Sequence, residues 1–291
     1  MNILIINDYI HAKNLNGIKK CKNLTIHTIP SVYNLNEFPL DTIDCVYSPS
    51  TPIDVSKYPH TTFIFGPHFS VFPDDKINII KGKNSIYIQP SDWAAKVWKN
   101  CSCCNNLNVS SIPFGVETDR FNEIKSIYER RYVFVYYKSR QPIELEFIKS
   151  FLNTNNIEYV LFDYNKKYIE NDYIKCLQNS IFGIWVGRHE SQGFALEEAL
   201  SCNVPLIVWD VKSMNQEYGY NYQDIPATCI PYWDERCGEV FYRADELNDT
   251  FKKFIPNLYN YKPREYILEN LSIDVCEQKL ITMINKMKNN L

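Results

Sequence analysis

The sequence predicts an α/β protein built from two parallel-sheet domains, and three observations support this prediction. Short apolar runs rich in β-branched and aromatic residues recur along the chain, as strands covered on both faces require. Polar, helix-favouring segments and loops separate these runs in both halves of the chain. The chain has 291 residues, which is enough for two domains of ordinary size.

The N-terminal half alternates strands with loops and helices. A loop over 8–17 follows the first strand and leads to a weak helix from Ile18. The clearest helix runs through Asn100, with Ser91 or Asp92 as its N-cap. Because this half is short for a layered α/β domain, we expect some helices to be reduced to loops. The predicted strands are 2–7, 24–29, 44–47, 61–65, 85–88 and 109–112.

The C-terminal half repeats the pattern after a polar, charged linker at 121–131. We therefore expect a short N-terminal domain over 1–120, a second domain over 121–272, and a last helix over 273–291 that packs back on the first domain. The predicted strands are 132–137, 158–162, 181–186, 206–209 and 227–231. The predicted helices are 142–154, 168–179, 194–201, 245–254 and 273–288.

Charge and hydrophobicity exclude several classes of protein. The formal net charge is −3 and no basic stripe is present, so nucleic-acid binding is not expected. No apolar run reaches the length of a membrane span, which is about 20 residues, and no secretory signal is visible. These features predict a cytoplasmic protein. A basic segment containing Lys13, Lys19, Lys20 and Lys22 leaves peripheral membrane contact open.

The cysteines give only a weak indication of a metal site. The chain has 10 of them and no export signal, so we expect reduced thiols. Cys101, Cys103 and Cys104 form a cluster, but no second Cys or His cluster lies at a spacing that completes tetrahedral zinc coordination. We therefore expect neither a bound metal nor a cofactor.

The segment 180–210 has the pattern of a buried strand, a tight loop, a helix and a second buried strand. Glu190 lies in the loop, and Glu198 lies more than one turn into the helix on the same face as Phe194. The free N–H groups at the helix start favour an anion. Ligands of open α/β sheets bind at this edge, beyond the carboxyl ends of the strands.

Two interpretations of these carboxylates remain open from the residues alone. In the first, they accept hydrogen bonds from the sugar and ribose hydroxyls of a nucleotide sugar, while the helix start receives its diphosphate. In the second, Glu197 and Glu198 form a solvated helix face and Glu190 is an exposed loop residue. The second arrangement is the more common one in proteins.

Three separated motifs resemble one family. Glu190 and Glu198 form an E-x7-E pattern, the segment 112–121 has the sequence IPFGVETDRF, and a strand at 132–137 leads into Lys138 and Arg140. Together they resemble retaining glycosyltransferases of the GT-B fold, family 4 type. This resemblance implies two Rossmann-like domains facing each other across a cleft, with the acceptor on the N-terminal side and the donor on the C-terminal side.

The resemblance also implies roles for individual residues. Glu190 would bind hydroxyls of the transferred sugar, and Glu198 would bind the ribose. Arg140 and Lys138 would neutralise the diphosphate, and His68 would touch the donor sugar near the reaction centre. Gly17 would be the remnant of a Gly-rich loop near the phosphates. The remaining donor-binding positions would be Arg188, Ser191, Gln192, Gly193 and Phe194.

The implied activity is metal-independent transfer of a hexosyl-type sugar from a nucleotide sugar to a glycan, lipid or small-molecule acceptor, with retention of configuration. Two departures from the family pattern keep alternatives open. Glu144 and Glu146 occupy the region where a lysine is usual, and the Gly-rich loop is reduced to Asn16 and Gly17. A non-catalytic nucleotide-sugar-binding protein and a GT-B-type sugar-nucleotide epimerase are the alternatives. We also expect the loop 232–238 to lie near the donor base.

Overall fold

The computed structural model describes residues 1–289, and the chain divides into two units. Unit 1 contains Met1–Gly115 together with the C-terminal segment from Ile273, and unit 2 is Val116–Ser272. The division falls after Gly115, upstream of the linker expected at 121–131. No helix within residues 1–289 is long and apolar enough to cross a membrane.

Unit 1 is built on a six-stranded sheet in which every pairing is parallel and the strand order is β2-β1-β3-β4-β5-β6. Two helices, α1 (Ala12–Lys19) and α2 (Asp92–Lys99), follow β1 and β5. Short 3-10 turns replace helices between β2 and β5, as the length of this half predicts. The strands are β1 (Asn2–Ile6), β2 (Thr25–Ile29), β3 (Cys45–Ser48), β4 (Phe63–Phe65), β5 (Ser85–Gln89) and β6 (Val109–Ser111).

The core of unit 1 packs the central strands against α2 and the loops. Leu4, Val46 and Phe63 belong to one buried cluster across β1, β3 and β4. Trp98 of α2 stacks on Tyr87 of β5 with ring centroids 3.9 Å apart. The apolar runs of the sequence are therefore buried strands, and the stacked aromatic pair contributes to the core they form.

Unit 2 is built on a five-stranded parallel sheet with the order β11-β10-β9-β7-β8. Helices cover both faces of this sheet. The strands are β7 (Tyr132–Lys138), β8 (Tyr159–Asp163), β9 (Ser180–Gly187), β10 (Leu206–Trp209) and β11 (Gly238–Phe241). The helices are α3 (Pro142–Thr154), α4 (Glu170–Leu177), α5 (Phe194–Ser201), α6 (Leu247–Asn257) and α7 (Pro263–Asn270).

Burial on both faces explains why the strands of unit 2 are continuous apolar runs. Along β7, Phe134 and Tyr136 belong to one core cluster, whereas Val133 and Val135 belong to the cluster on the opposite face. β9 alternates between the same two clusters. Neither face of the central strands is open to solvent, which is the arrangement expected of a parallel sheet.

Two features at the end of unit 2 differ from the sequence predictions. The segment 227–231 is not a strand, and the last strand is β11, which begins at Gly238, whereas 232–237 is a loop with a 3-10 turn, as expected. Asp210 explains the first difference, because its carboxylate accepts the backbone N–H of Cys229 (2.7 Å) in place of a neighbouring strand. Helix α7 was also not predicted.

The C-terminal helix α8 (Ile273–Lys288) completes unit 1. Glu277 accepts hydrogen bonds from the backbone N–H (2.5 Å) and the side chain (3.2 Å) of Asn23. A Cβ at Gly115 would lie 2.6 Å from the Cα of Ile273, so only glycine allows the chain to approach the helix start this closely. The last helix therefore belongs to the packing of unit 1.

Candidate functional site

The candidate site in unit 2 lies at the carboxyl edge of its sheet. Lys138 ends β7 and pairs in register with Gly187, which ends β9. The chain then turns through a loop into α5, whose first residue is Phe194. Two neighbouring strand ends and one helix start are thus brought together, which is where ligands of open α/β sheets bind.

Lys138 and Glu190 form an ion pair at this edge. Their side chains are 11% and 13% exposed, and Lys138 Nζ lies 2.5 Å from Glu190 Oε1. Lys138 Nζ also lies 4.3 Å from the ring centroid of Tyr164, a cation–π contact. Arg188 Nη2 approaches the other oxygen of Glu190 at 4.0 Å. The site therefore places one carboxylate between two cations.

The loop that carries Glu190 is held by two residues that the sequence analysis missed. The backbone N–H of Glu190 donates to the carbonyl of Thr228 at 3.0 Å. The hydroxyl of Thr228 donates to Asp210 at 2.8 Å. Asp210 directly follows β10. A carboxylate at the end of a third predicted strand was therefore the sequence signal that could have identified Asp210 as part of the site. This chain of hydrogen bonds fixes where Glu190 lies relative to the sheet.

Glu217 is a further carboxylate of the site that the sequence did not indicate. It is buried, and its two oxygens lie 3.2 Å from Arg188 Nε and 3.5 Å from His189 Nδ1. Burial raises the pKa of Glu217, and burial together with the charge of Arg188 lowers the pKa of His189 to about 4. Burial alone would lower the pKa of Arg188, but Glu190 and Glu217 raise it instead. His189 is therefore neutral at pH 7 beside a charged Arg188.

The start of α5 has the geometry of an anion site. Gly193 precedes the helix with φ at +93°, a conformation that favours glycine. Ser191 is exposed, Gln192 is buried, and Phe194 is partly buried. The first N–H groups of this helix have no helical partner, so they are suited to bind negative charge.

Burial decides between the two interpretations of the glutamates on α5. Glu197 and Glu198 are only 1% and 4% exposed, so they do not form a solvated helix face. The amide of Gln192 donates to Glu197 at 3.1 Å, and burial raises the pKa of Glu197 well above its usual value. Glu197 is therefore a buried acidic side chain that Gln192 contacts beneath the loop.

Arg140 does not face the site as the resemblance implied. Its side chain is 1% exposed and forms an ion pair with Glu144 at 2.5 Å. Nη1 donates to the carbonyls of Gly187 (3.1 Å) and Trp209 (2.9 Å). These carbonyls lie at the ends of β9 and β10, and Arg140 itself follows β7. Its buried side chain therefore connects the ends of three strands. This geometry gives Arg140 a structural role rather than that of an exposed cation.

His68 lies at the carboxyl edge of the sheet in unit 1, three residues beyond β4. Its Nε2 lies 3.3 Å from the backbone nitrogen of His11 and 3.1 Å from Nδ2 of the buried Asn14. Burial, followed by the nearby His11, lowers the pKa of His68 to about 4. His68 therefore belongs to a polar cluster with residues that follow β1.

Gly17 is not part of a phosphate-binding loop. It lies inside α1, where a Cβ would be 3.1 Å from the carbonyl oxygen of Gly115. It also lines an apolar cavity of about 30 Å³ in unit 1, next to Ile3 and Ile18. Close packing of helix against backbone explains this glycine, and the loop expected over 8–17 ends at His11.

The structure thus groups the predicted residues into two sets. Lys138, Arg188 and Glu190 lie together in unit 2 near the start of α5. His68 lies in unit 1 with Asn14 and His11. Within residues 1–289, no group of three or more His, Cys, Asp or Glu side chains is arranged to hold a metal ion.

Comparison with known proteins shows the fold. No family model and no curated protein matches the sequence. Among solved structures, TarM from S. aureus, in a complex that includes UDP, has a TM-score of 0.51 at 16% identity, covering 87% of this chain and 57% of TarM. Sucrose-phosphate synthase from Thermosynechococcus elongatus has a TM-score of 0.55 at 9% identity, covering 100% of both chains.

An alpha,alpha-trehalose-phosphate synthase (UDP-forming) from Burkholderia xenovorans has a TM-score of 0.60 at 8% identity, covering 98% of this chain and 100% of that enzyme. This chain therefore spans just over half of TarM but nearly the full length of the two synthases. These likenesses confirm the predicted GT-B fold class with two Rossmann-like domains.

Proposed function

We propose that this protein is a glycosyltransferase that moves a sugar from a nucleoside diphosphate sugar to a hydroxyl acceptor with retention of configuration. One observation carries the proposal: a shielded Lys138–Glu190 ion pair lies beside the start of α5, at the carboxyl edge of a parallel sheet. Such a pair offers an acceptor for sugar hydroxyls and a cation for phosphate within one small volume.

In this proposal the donor spans the start of α5. Glu190 accepts hydrogen bonds from hydroxyls of the transferred sugar, and Glu198 accepts them from the ribose. The helix N–H groups and the cations Lys138 and Arg188 bind the diphosphate. Glu198 is only 4% exposed, so it is not part of a solvated helix face.

The chemistry uses the same groups. As the bond from the anomeric carbon to the diphosphate oxygen breaks, positive charge develops on the sugar and negative charge on the leaving diphosphate. Lys138, Arg188 and the helix start stabilise that negative charge without rearranging during the reaction. The leaving oxygen accepts the proton of the attacking hydroxyl on the same face of the sugar. Retention follows, and side-chain cations supply the charge that a metal ion would otherwise provide.

The proposal changes two of the roles implied by the resemblance. Arg188 replaces Arg140 as the second cation, because the guanidinium of Arg140 is engaged by Glu144 and two strand-end carbonyls. Gly17 has no role in binding the donor. His68 keeps the role of contacting the transferred sugar, and Gln192 keeps the loop before α5 in place through Glu197.

The first test is a thermal-shift screen with nucleoside diphosphates and their sugars, beginning with UDP and UDP-glucose because a neighbour of the same fold is complexed with UDP. A ligand that binds the folded state raises the melting temperature. No shift at millimolar concentration from any nucleotide would contradict the donor site. A shift without sugar transfer to any acceptor would favour the non-catalytic alternative, and isomerised donor without acceptor would favour the epimerase.

The second test is the substitution Glu190→Gln. It removes the charge that pairs with Lys138, and we expect release of nucleoside diphosphate in the presence of chelator to fall by roughly 10²–10³-fold, as for loss of one preorganised polar group. Glu146→Gln is the matched control, since Glu146 is 62% exposed and pairs with Lys149 on the surface of α3. Equal activity of the two variants would contradict the assignment of Glu190.

A further inference from the structure

We propose that the structure fixes His68 in the neutral form that carries its proton on Nδ1, and that Asn14 is the positioning residue that selects this form. His68 then acts as a permanent hydrogen-bond donor to an oxygen of the bound sugar. The identity of the ligand rests on the proposed function, whereas the state of the imidazole ring does not.

The geometry around Nε2 determines where the proton lies. The backbone N–H of His11 points at Nε2 from 3.3 Å, and a backbone amide can only donate. This N–H favours a lone pair on Nε2, but at 3.3 Å it is a long hydrogen bond that does not fix the tautomer by itself. The amide of Asn14 lies closer, with Nδ2 at 3.1 Å, and its donation to the same atom completes the exclusion of a proton from Nε2. A neutral imidazole with an unprotonated Nε2 carries its hydrogen on Nδ1.

The surroundings of the ring support the same form. Asn14 is only 3% exposed, so its amide cannot exchange this bond for water without disturbing the packing. The rings of Tyr9 and His11 lie against His68, with centroids at 5.4 Å and 6.4 Å. No acidic side chain is among these neighbours to stabilise an imidazolium. Burial and His11 accordingly lower the pKa of His68 to about 4.

The Nδ1 side of the His68 ring is available to a ligand. Nδ1 has no hydrogen-bond partner within residues 1–289, whereas Nε2 has two and the backbone N–H of His68 donates to Pro49 at 2.8 Å. Three contacts thus fix the position of the ring and leave a single N–H available. The site lies where loops after β1, β3 and β4 meet, as the hydrogen bond between Asp8 and Thr51 (2.7 Å) also shows.

This assignment restricts the chemistry of His68. An imidazole whose lone pair already receives two hydrogen bonds cannot remove a proton from an acceptor hydroxyl. His68 is therefore a donor to a sugar oxygen and not a general base. The acceptor proton then has to pass to the leaving phosphate oxygen, which agrees with the mechanism proposed above.

The experiment is a long-range ¹H–¹⁵N spectrum of the histidine rings in the uniformly labelled full chain without ligand. His68 is one of 5 histidines, and its signals are identified by their loss in His68→Gln. Between pH 6 and 8 we expect Nε2 to show the shift of an unprotonated nitrogen and Nδ1 that of a protonated one. A proton on Nε2, or an imidazolium at pH 6, would overturn the assignment without affecting the proposed function.

Two substitutions test the positioning role. Asn14→Asp replaces the donor with an acceptor, so we expect the ring proton to move to Nε2 or the ring to become charged near neutral pH. Asn14→Leu keeps a similar volume without the donor, and we expect a mixture of both tautomers. An unchanged His68 spectrum in both folded variants would rule out Asn14 as the selecting residue. If neither variant folds, the spectrum of the unsubstituted chain still decides the tautomer.

The ligand is tested separately with UDP and UDP-glucose as probes. Because Nδ1–H is assigned to a sugar oxygen, His68→Phe should weaken UDP-glucose binding roughly 5–10-fold, the effect expected for loss of one hydrogen bond, while UDP binding stays unchanged. Equal loss for both probes would overturn the sugar contact. If neither probe binds the unsubstituted chain, the proposed donor has failed and the tautomer assignment stands on its spectrum.

Discussion

Two ion pairs lie close together at the end of β7 but differ in what surrounds them. Lys138 pairs with Glu190, and both side chains keep some exposure at the sheet edge. Arg140 pairs with Glu144 and also bonds to carbonyls that end two further strands. Ser139 between them has φ at +47°, so the chain turns sharply at this point. At the residue scale, the first pair can exchange partners with a ligand, whereas the second is part of the interior.

Replacing Arg140 with methionine therefore tests a structural role. Arg140→Met leaves the carboxylate of Glu144 and two strand-end carbonyls without their donor, and we expect the free energy of unfolding to fall by about 3–5 kcal/mol. Urea unfolding measures this loss. Arg243→Met is the control, because Arg243 is 67% exposed in its pair with Asp245 and its loss should reduce stability far less. Full stability with lost activity in Arg140→Met would instead indicate a direct contact with the donor.

His189 should make unfolding depend on pH on the acid side. Its pKa is about 4 in the folded chain, lowered mainly by burial, and 6.5 is the ordinary value expected after unfolding. Below pH 6.5 His189 binds a proton in the unfolded chain but not in the folded chain. The free energy of unfolding therefore falls as the pH drops from 6.5 toward 4. The slope from this residue reaches about 1.4 kcal/mol per pH unit.

The substitution His189→Gln isolates this contribution. We expect the variant to lose stability less steeply than the unsubstituted chain between pH 6.5 and 4, as measured by urea unfolding at a series of pH values. The comparison matters because Glu197 acts in the opposite direction: its raised pKa makes stability fall as the pH rises above 4.5. Parallel pH curves for the two proteins would show that folding does not lower the pKa of His189.

At the scale of elements, the site depends on how the loop before α5 is anchored. One end of this loop is set by β9, and its middle is held through Thr228 by Asp210. The other end is set by Gly193, whose left-handed backbone starts the helix. The loop is thus attached to β9, to the end of β10 and to α5. This framework fixes the backbone of Glu190, and Lys138 contacts its side chain.

Gly193→Ala tests the helix start against a matched control. Gly193 and Gly219 have φ at +93° and +87°, so a Cβ at either position should cost roughly 1–2 kcal/mol. A Cβ added at Gly219 would have no neighbouring atom within 4 Å, and a Cβ added at Gly193 would make only ordinary van der Waals contacts, all longer than 3.4 Å. We therefore expect similar losses of stability in Gly193→Ala and Gly219→Ala. Only Gly193→Ala should reduce the thermal shift given by UDP-glucose, and equal ligand responses would contradict a donor site at α5.

At the scale of the whole molecule, the chain enters unit 1, forms unit 2 and returns to unit 1 through α8. Each unit has its own buried core, with one cluster in unit 1 and two clusters on opposite faces of the sheet in unit 2. The returning helix buries Cys276, Ile284 and Met287. Unit 1 consequently needs residues from both ends of the chain, whereas unit 2 is continuous.

A chain that ends at Ser272 should therefore lose stability mainly in unit 1. Without α8, the apolar face it covers is exposed and Asn23 loses the carboxylate of Glu277. We expect hydrogen exchange to accelerate across β1 and α1, while β7 and β9 keep their protection. A chain that ends at Asn289 is the control. Uniform acceleration through both units would contradict their independent packing.

The sequence by itself determined the parallel sheets and most of the element positions. Apolar runs such as 206–209 have to be buried on both faces, and only a layered α/β fold provides that for so many short strands. Helices α3, α5 and α8 begin and end at the predicted residues, because their signals are local: Pro142 opens α3, Gly193 precedes α5, and α8 has regularly spaced apolar residues. The spacing of Glu190 and Glu198 likewise marked the loop and helix that form the candidate site.

Tertiary structure alone decided the roles of several side chains. Arg140 faces inward because carbonyls 47 and 69 residues away accept its hydrogen bonds. The segment 227–231 is bound by Asp210 instead of a strand, Gly17 packs on Gly115, and Asn14 selects the tautomer of His68 that we propose. Local sequence sets backbone preference and hydrophobic period, but burial and hydrogen-bond partners come from residues distant in the chain. Those distant partners determine whether a polar side chain supports the fold or is available to a ligand.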